Sequence, residues 1–124
     1  MKTRLISTLA FSFFAVASTF AHADMVKPVG GILVNAAGMT VYTFDKDVAG
    51  SGKSMCSGPC STAWPAVMAD ADAKPEGDMT ILTRDDGAKQ WAYKGKPVYL
   101  YASDAKPGDR KGDNFKDVWH VVKP

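Results

Sequence analysis

Cysteine is scarce in this chain of 124 residues, which has only Cys56 and Cys60. Histidine is scarcer still: beyond residue 23 only His120 stands. These shortages remove whole classes of chemistry. Structural zinc takes about four cysteine or histidine ligands, and the cysteines fall well short of that. The CxxC redox pair, the CxxCH haem attachment, the GxSxG elbow, the HExxH helix and the EF-hand loop are all missing. No catalytic constellation is left to nominate, and an enzyme is not expected.

An excess of charge is missing too. The 15 basic and 13 acidic residues give a formal charge of +2. Two of the basic ones, Lys2 and Arg4, stand ahead of an apolar run from Leu5 to Phe20 and the small-x-small triplet Ala21-His22-Ala23. That order reads as a cleaved secretory signal over residues 1–23, with Asp24 opening the mature chain. The run is short for a membrane span of ~20 residues, so no membrane insertion is expected after cleavage. Without Lys2 and Arg4 the basic residues fall to 13 and balance the acids. A neutral surface gives no general attraction to nucleic acid or anionic lipid. The expected home is the bacterial periplasm or the outside of the cell. Residues 24–124 suit one domain, small enough to profit from a covalent staple.

What is present is a repeat. YTFDKD (Tyr42 to Asp47) returns as YLYASD (Tyr99 to Asp104). Gly38, Val41, Tyr42, Phe44 and Asp47 match Gly95, Val98, Tyr99, Tyr101 and Asp104 at a constant offset. Each Asp is followed by a polar Gly-containing loop and then a Trp, Trp64 in one copy and Trp119 in the other. The copies run over about 30–69 and 78–124. One copy offers too little apolar face to fold alone, so two are expected to share one core with approximate twofold symmetry.

The local signals are those of short β-hairpins. Runs of β-formers at Ile32 to Asn35 and Met39 to Phe44 flank a turn at Asn35 to Gly38. Met79 to Thr83 and Lys89 to Tyr93 flank an Asp-Gly turn. Lys94 to Pro97 reads as a turn into a strand over Val98 to Tyr101, and Val118 to Val122 as the last strand. Alternation puts Tyr42 and Phe44 on one face and Val41 and Thr43 on the other; Tyr99 and Tyr101 share a face likewise. These aromatics read as core, with a ligand-stacking platform as the alternative. Asp47 and Asp104 sit where an acid accepts backbone N–H groups from the loop behind it. The fold class is all-β, a small single domain of two pseudo-symmetric β repeats, with at most a helical turn near Ser57 to Ala63.

Cys56 and Cys60 stand in CSGPC, in the first copy only. In an exported chain a lone pair reads as a disulfide, here closing a tight turn that fixes the approach of Trp64.

Taken together, YTFDKD, YLYASD, CSGPC with AWP, AYKGKPVY, KPGD and VWHVVKP resemble the secreted-repeat proteins that carry a Yx(F/W/Y)xxD motif, a family grouped with predicted lipoproteins. The resemblance spans Gly30 to Pro124. It implies a small, exported, repeated protein with no established biochemical role, and it supplies no catalytic residue. The chain departs from the lipoprotein label, having no acceptor cysteine at its signal.

The residues therefore favour a non-enzymatic exported binding or interaction module, its partner an envelope protein or a small ligand. No cofactor is expected. The second reading is an envelope metal or redox accessory protein. Met25, Met39, Met55, Met68, Met79 and His120 are copper-compatible side chains, though dispersed and without an MxxM-type cluster. The third, a hydrolase, would rest on His120 alone, whose place in a Trp-Val-Val strand points to a structural role.

Overall fold

A computed structural model describes residues 26–124, and the signal expected over 1–23 lies outside them. Among the described residues the strands are β1 (Lys27–Val29), β2 (Ile32–Val34), β3 (Tyr42–Phe44), β4 (Met79–Thr83), β5 (Lys89–Tyr93), β6 (Lys96–Pro97) and β7 (Trp119–Val121). One helical turn, α1 (Pro59–Ala63), and one 3-10 turn, Phe115–Asp117, complete the elements. The protein is all-β in the small-sheet sense, with every strand pair antiparallel.

Two of the hairpins close with two residues each. Gly30 and Gly31 join β1 to β2 with φ of 61° and 88°, and Lys94 and Gly95 join β5 to β6 with φ of 51° and 86°. Positive φ at both turn residues matches the right-handed twist of the flanking strands. Gly95 has a second reason to lack a side chain. A Cβ there would lie 2.8 Å from the backbone nitrogen of Gly50.

The strand boundaries differ from the sequence reading in two places. Ladder pairing in the last hairpin begins at Lys96–Pro97, and the expected strand over Val98 to Tyr101 is reduced to bridges at Tyr99, which pairs with both Tyr42 and Ala66. Tyr99 is hemmed by partners on two sides, so the chain there is the crossing point of two ladders and not a run of one. Likewise β2 takes its full ladder from β1, a strand that Pro28 and short length hid, and meets the Met39 to Phe44 run only at a bridge between Val34 and Thr40.

The two sequence copies are interlocked. β3 of the first copy pairs with β7 of the second, Tyr42 opposite Val121 and Phe44 opposite Trp119. Tyr99 of the second copy pairs with Ala66 of the first. Backbone bonds repeat under exchange of the copies. Leu33 N–H donates to Val122 and Trp91 N–H to Val67, while Val41 donates to Leu33 and Val98 to Trp91. Each half of the molecule therefore takes its hairpin from one copy and its closing strand from the other.

Alternation then sorts two cores. Val41 and Val98 face an aliphatic cluster with Val26, Leu33, Val67 and Val122 around Trp91. The Trp91 Nε1 lacks a hydrogen-bond partner there. Tyr42 and Tyr99 face an aromatic cluster with Phe44, Trp64, Trp119, Val121 and Cys56. Gly112 allows the second core to close. A Cβ at that position would meet the Trp64 ring at 2.5 Å and the Tyr101 ring at 3.0 Å. Gly112→Ala should therefore lower stability by ~1–3 kcal/mol, the usual range for overpacking. Thermal denaturation of the variant checks this, and an unchanged melting point would mean that the rings move aside freely.

Candidate functional site

The centre of the molecule is the pair Tyr42 and Tyr99. They exchange backbone bonds, Tyr42 N–H to Tyr99 C=O at 2.8 Å and Tyr99 N–H to Tyr42 C=O at 2.9 Å. Both side chains are 0% exposed. A phenol this deep needs a partner for its O–H. Each finds it in the opposite copy. Tyr42 donates to Asp104 Oδ2 at 2.6 Å, and Tyr99 donates to Asp47 Oδ2 at 2.6 Å.

The second oxygen of each carboxylate pins the loop that follows it. Asp47 Oδ1 accepts the Met55 N–H at 2.6 Å, and Asp104 Oδ1 accepts the Lys111 N–H at 2.9 Å. Each tyrosine oxygen also accepts one bond, from Ser54 Oγ at 2.6 Å for Tyr99 and from the Gly112 N–H at 3.1 Å for Tyr42. The repeated glycines obey the same exchange: Gly38 packs on Pro107 of the second loop, and Gly95 on Gly50 of the first. The Yx(F/W/Y)xxD pattern is thus a clasp in which each copy holds the loop of the other.

Burial, aided by the facing carboxylates of Asp104 and Asp47, pushes the hydroxyls of Tyr42 and Tyr99 well above the ordinary tyrosine value of 10.0. Burial also raises the Asp47 carboxyl above 3.8, opposed by the Tyr99 hydroxyl and the Met55 N–H. Asp47 is therefore a group whose favourable contribution belongs to acid pH and is lost as pH rises through its folded value.

The other repeated aromatics form one column of rings. Phe44 stacks on Trp119 at 4.2 Å, Trp119 on Trp64 at 3.8 Å and Trp64 on Tyr101 at 4.1 Å. Tyr42 meets Trp64 edge-on at 5.3 Å, and Tyr99 meets Trp119 edge-on at 5.2 Å. The column crosses from one copy to the other at the tryptophan pair. Only Tyr101, at its end, and the neighbouring Phe115 are half-exposed. A ligand-stacking role for Tyr42 or Phe44 has no open ring face to use.

Cys56 and Cys60 are joined by a disulfide, S–S 2.06 Å, with Cys56 fully buried. The bridge anchors α1 and sets Cys56 C=O as a shared acceptor for Ser61 Oγ at 3.2 Å and Arg84 Nη2 at 2.7 Å. Arg84 also donates from Nη1 to Gln90 Oε1 at 2.6 Å, and the buried Gln90 donates to Val98 C=O at 2.9 Å. Sequence reasoning missed Arg84, Gln90, Ser54 and Gly112. The backbone bonds, which equate Leu33 with Trp91, match Gln90 with Ile32 of the first hairpin, so the glutamine stands at an apolar position and needs a buried partner.

A cleft of about 360 Å³ opens beside this group, lined by Lys53, Ser54, Ser57, Gly58, Ser61 and Thr83 to Asp86. The corresponding region of the other half, between the loop after Asp104 and the Gly30 turn, holds a more apolar cleft of about 430 Å³ with Val29, Ile32, Pro107 and Arg110. His120 lies on the surface face of β7, Nε2 2.9 Å from Asp45 Oδ2 and Nδ1 3.1 Å from Asn114 Oδ1. Met55 and Met68 are exposed and Met79 is buried. Among the described residues no three His, Cys, Asp or Glu side chains are grouped to hold a metal ion, and no helix is long and apolar enough to cross a membrane.

A family model described as a secreted repeat of unknown function matches residues 25–68 and again residues 80–123. The chain belongs to that family, with two copies of its repeat. No curated protein matches it. No solved structure matches it either.

The raised tyrosines carry a pH signature. Their stabilising contribution is full below pH 10.0, the ordinary value, and is lost above it, because the unfolded chain releases protons that the folded chain retains. Melting temperature should begin to fall near pH 10.0 and keep falling as pH rises toward the higher folded values. The double variant Tyr42→Phe/Tyr99→Phe should be less stable at neutral pH and lose less over that rise. Parallel curves for the two proteins would refute the assignment.

Proposed function

We propose that this secreted-repeat protein is a non-enzymatic module of the bacterial periplasm that works by binding a small ligand or an envelope partner. The observation that carries the reading is an asymmetry. The tyrosine–aspartate bonds, the stacked rings and the backbone bonds around Val41 and Val98 recur in both halves, whereas the disulfide, Gln90, Arg84 and their cleft belong to one half only. A scaffold that is twofold inside and one-sided at its surface fits a single binding face.

Support for binding over catalysis comes from how the ionisable groups are spent. Asp47 and Asp104 each accept a tyrosine and a loop N–H. The ring nitrogens of His120 meet Asp45 and Asn114. General acid–base work needs a group free to exchange its proton with a substrate.

Native mass spectrometry of protein purified from the periplasm tests the reading. The expected species lacks residues 1–23 and carries an organic adduct or a partner chain. A stoichiometric metal ion would favour the metal or redox accessory role instead, and a chain retaining residues 1–23 would contradict export by a cleaved signal.

A further inference from the structure

Arg84 is held in an unusual way for a surface cation. Its guanidinium is half-buried and fixed by three neutral acceptors: Gln90 Oε1 at 2.6 Å, Cys56 C=O at 2.7 Å and Ser61 Oγ at 3.3 Å. Each acceptor is fixed in turn. Gln90 is tied to Val98, and Cys56 is locked by its disulfide. Among the described residues no carboxylate pairs with Arg84. Arg84 acts on the buried Asp47 carboxyl only through space, without an ion-pair contact. The positive charge is thus oriented without being neutralised, and it lies in the wall of the cleft.

A guanidinium has five N–H donors, and these three bonds leave two of them over. A planar fork already held in place loses little freedom when a carboxylate arrives. The half-buried hydroxyls of Ser54 and Ser61 line the cleft beside it. The exposed lining carries both signs: Lys53 on one loop, Asp85 and Asp86 on the turn after β4. Those two carboxylates oppose a ligand that is anionic throughout and favour one whose far end is cationic. At about 360 Å³ the cleft falls near the lower end of small-molecule sites. The other half has no equivalent, since no acid lines its cleft and a glycine turn stands where Arg84 would be.

We propose that the cleft between the disulfide loop and the β4–β5 turn binds a small zwitterion, such as an amino acid or a short peptide, with its carboxylate on Arg84 and its ammonium at Asp85 and Asp86. The inference rests on the binding reading above and gives it a site and a ligand class. The disulfide contributes by holding the carbonyl that orients Arg84.

The test is an amide-resolved NMR titration of the exported, oxidised protein with glycylglycine, sodium acetate and ethylammonium chloride. Saturable shifts should be confined to the amides of Lys53 to Ser61 and Thr83 to Asp86. Glycylglycine should bind at least about tenfold more tightly than either half-ligand, since it makes both charged contacts and each half-ligand only one. Arg84→Met should abolish that preference. Because Arg84 touches Gln90, Asp85→Asn/Asp86→Asn, two exposed positions, serves as a second variant; it should weaken glycylglycine about tenfold and bind acetate no more weakly than the parent protein does. Absence of saturable shifts, shifts at Gly30, Gly38 and Gly108 in the opposite cleft, or equal affinity for all three probes would overturn the proposal. An organic adduct in the native mass spectrum together with any of those results would leave the binding function standing and remove this site.

Discussion

A tyrosine hydroxyl sealed from water must find an acceptor, and a buried carboxylate must find donors. In this protein each need is met by the other, across the boundary between two copies of one motif. Tyr42 meets Asp104 and Tyr99 meets Asp47, both at 2.6 Å. Hydrogen bonds to charged groups contribute about 1.5–3 kcal/mol, and a carboxylate left buried without its donor is worse than one never buried. Neither copy can satisfy its own tyrosine and aspartate in this arrangement, so the clasp makes folding of one copy conditional on the other.

The rest of the architecture follows from that exchange. Once Asp47 and Asp104 are placed, their second oxygens hold Met55 and Lys111, so each loop lies across the hairpin turn of the opposite copy. The loops deliver Trp64 and Trp119 to the same place, where the two rings stack at 3.8 Å and 2°. Burial of four stacked rings and two edge-on tyrosines supplies the apolar area that a domain of this size has difficulty finding elsewhere. The disulfide belongs to one copy, consistent with a local role: it shapes the wall of the cleft and is absent from the half where the same loop closes without it.

Much of this was legible in the residues. The constant offset between YTFDKD and YLYASD announces the twofold, the alternation around Val41 and Tyr42 separates the two faces, and Cys56 with Cys60 in an exported chain announces the bridge. What was not legible was the exchange itself. Tyr42 lies five residues before Asp47 whichever aspartate it will bond, so sequence spacing cannot distinguish pairing within a copy from pairing across copies. β1 was hidden because Pro28 weakens the strand signal, although as an edge strand it tolerates a residue without an N–H. Gln90 was hidden because a polar residue in an alternating strand reads as facing solvent, and Arg84 because it opens the turn after β4, where a charge reads as solvated. Only the three-dimensional match of Gln90 with Ile32 reveals it as an interior substitution. The membership in a family of secreted repeats of unknown function adds the compartment and the repeat, and leaves the ligand to be found from the surface that differs between the copies.

The measurement that bears most directly on the exchange is a pair of double-mutant cycles in stability. One combines Tyr42→Phe with Asp104→Asn, the other Tyr42→Phe with Asp47→Asn. Cross-copy clasping predicts a coupling of about 1–3 kcal/mol in the first cycle and additivity within about 0.5 kcal/mol in the second. Coupling confined to the second cycle, or none in either, would contradict it.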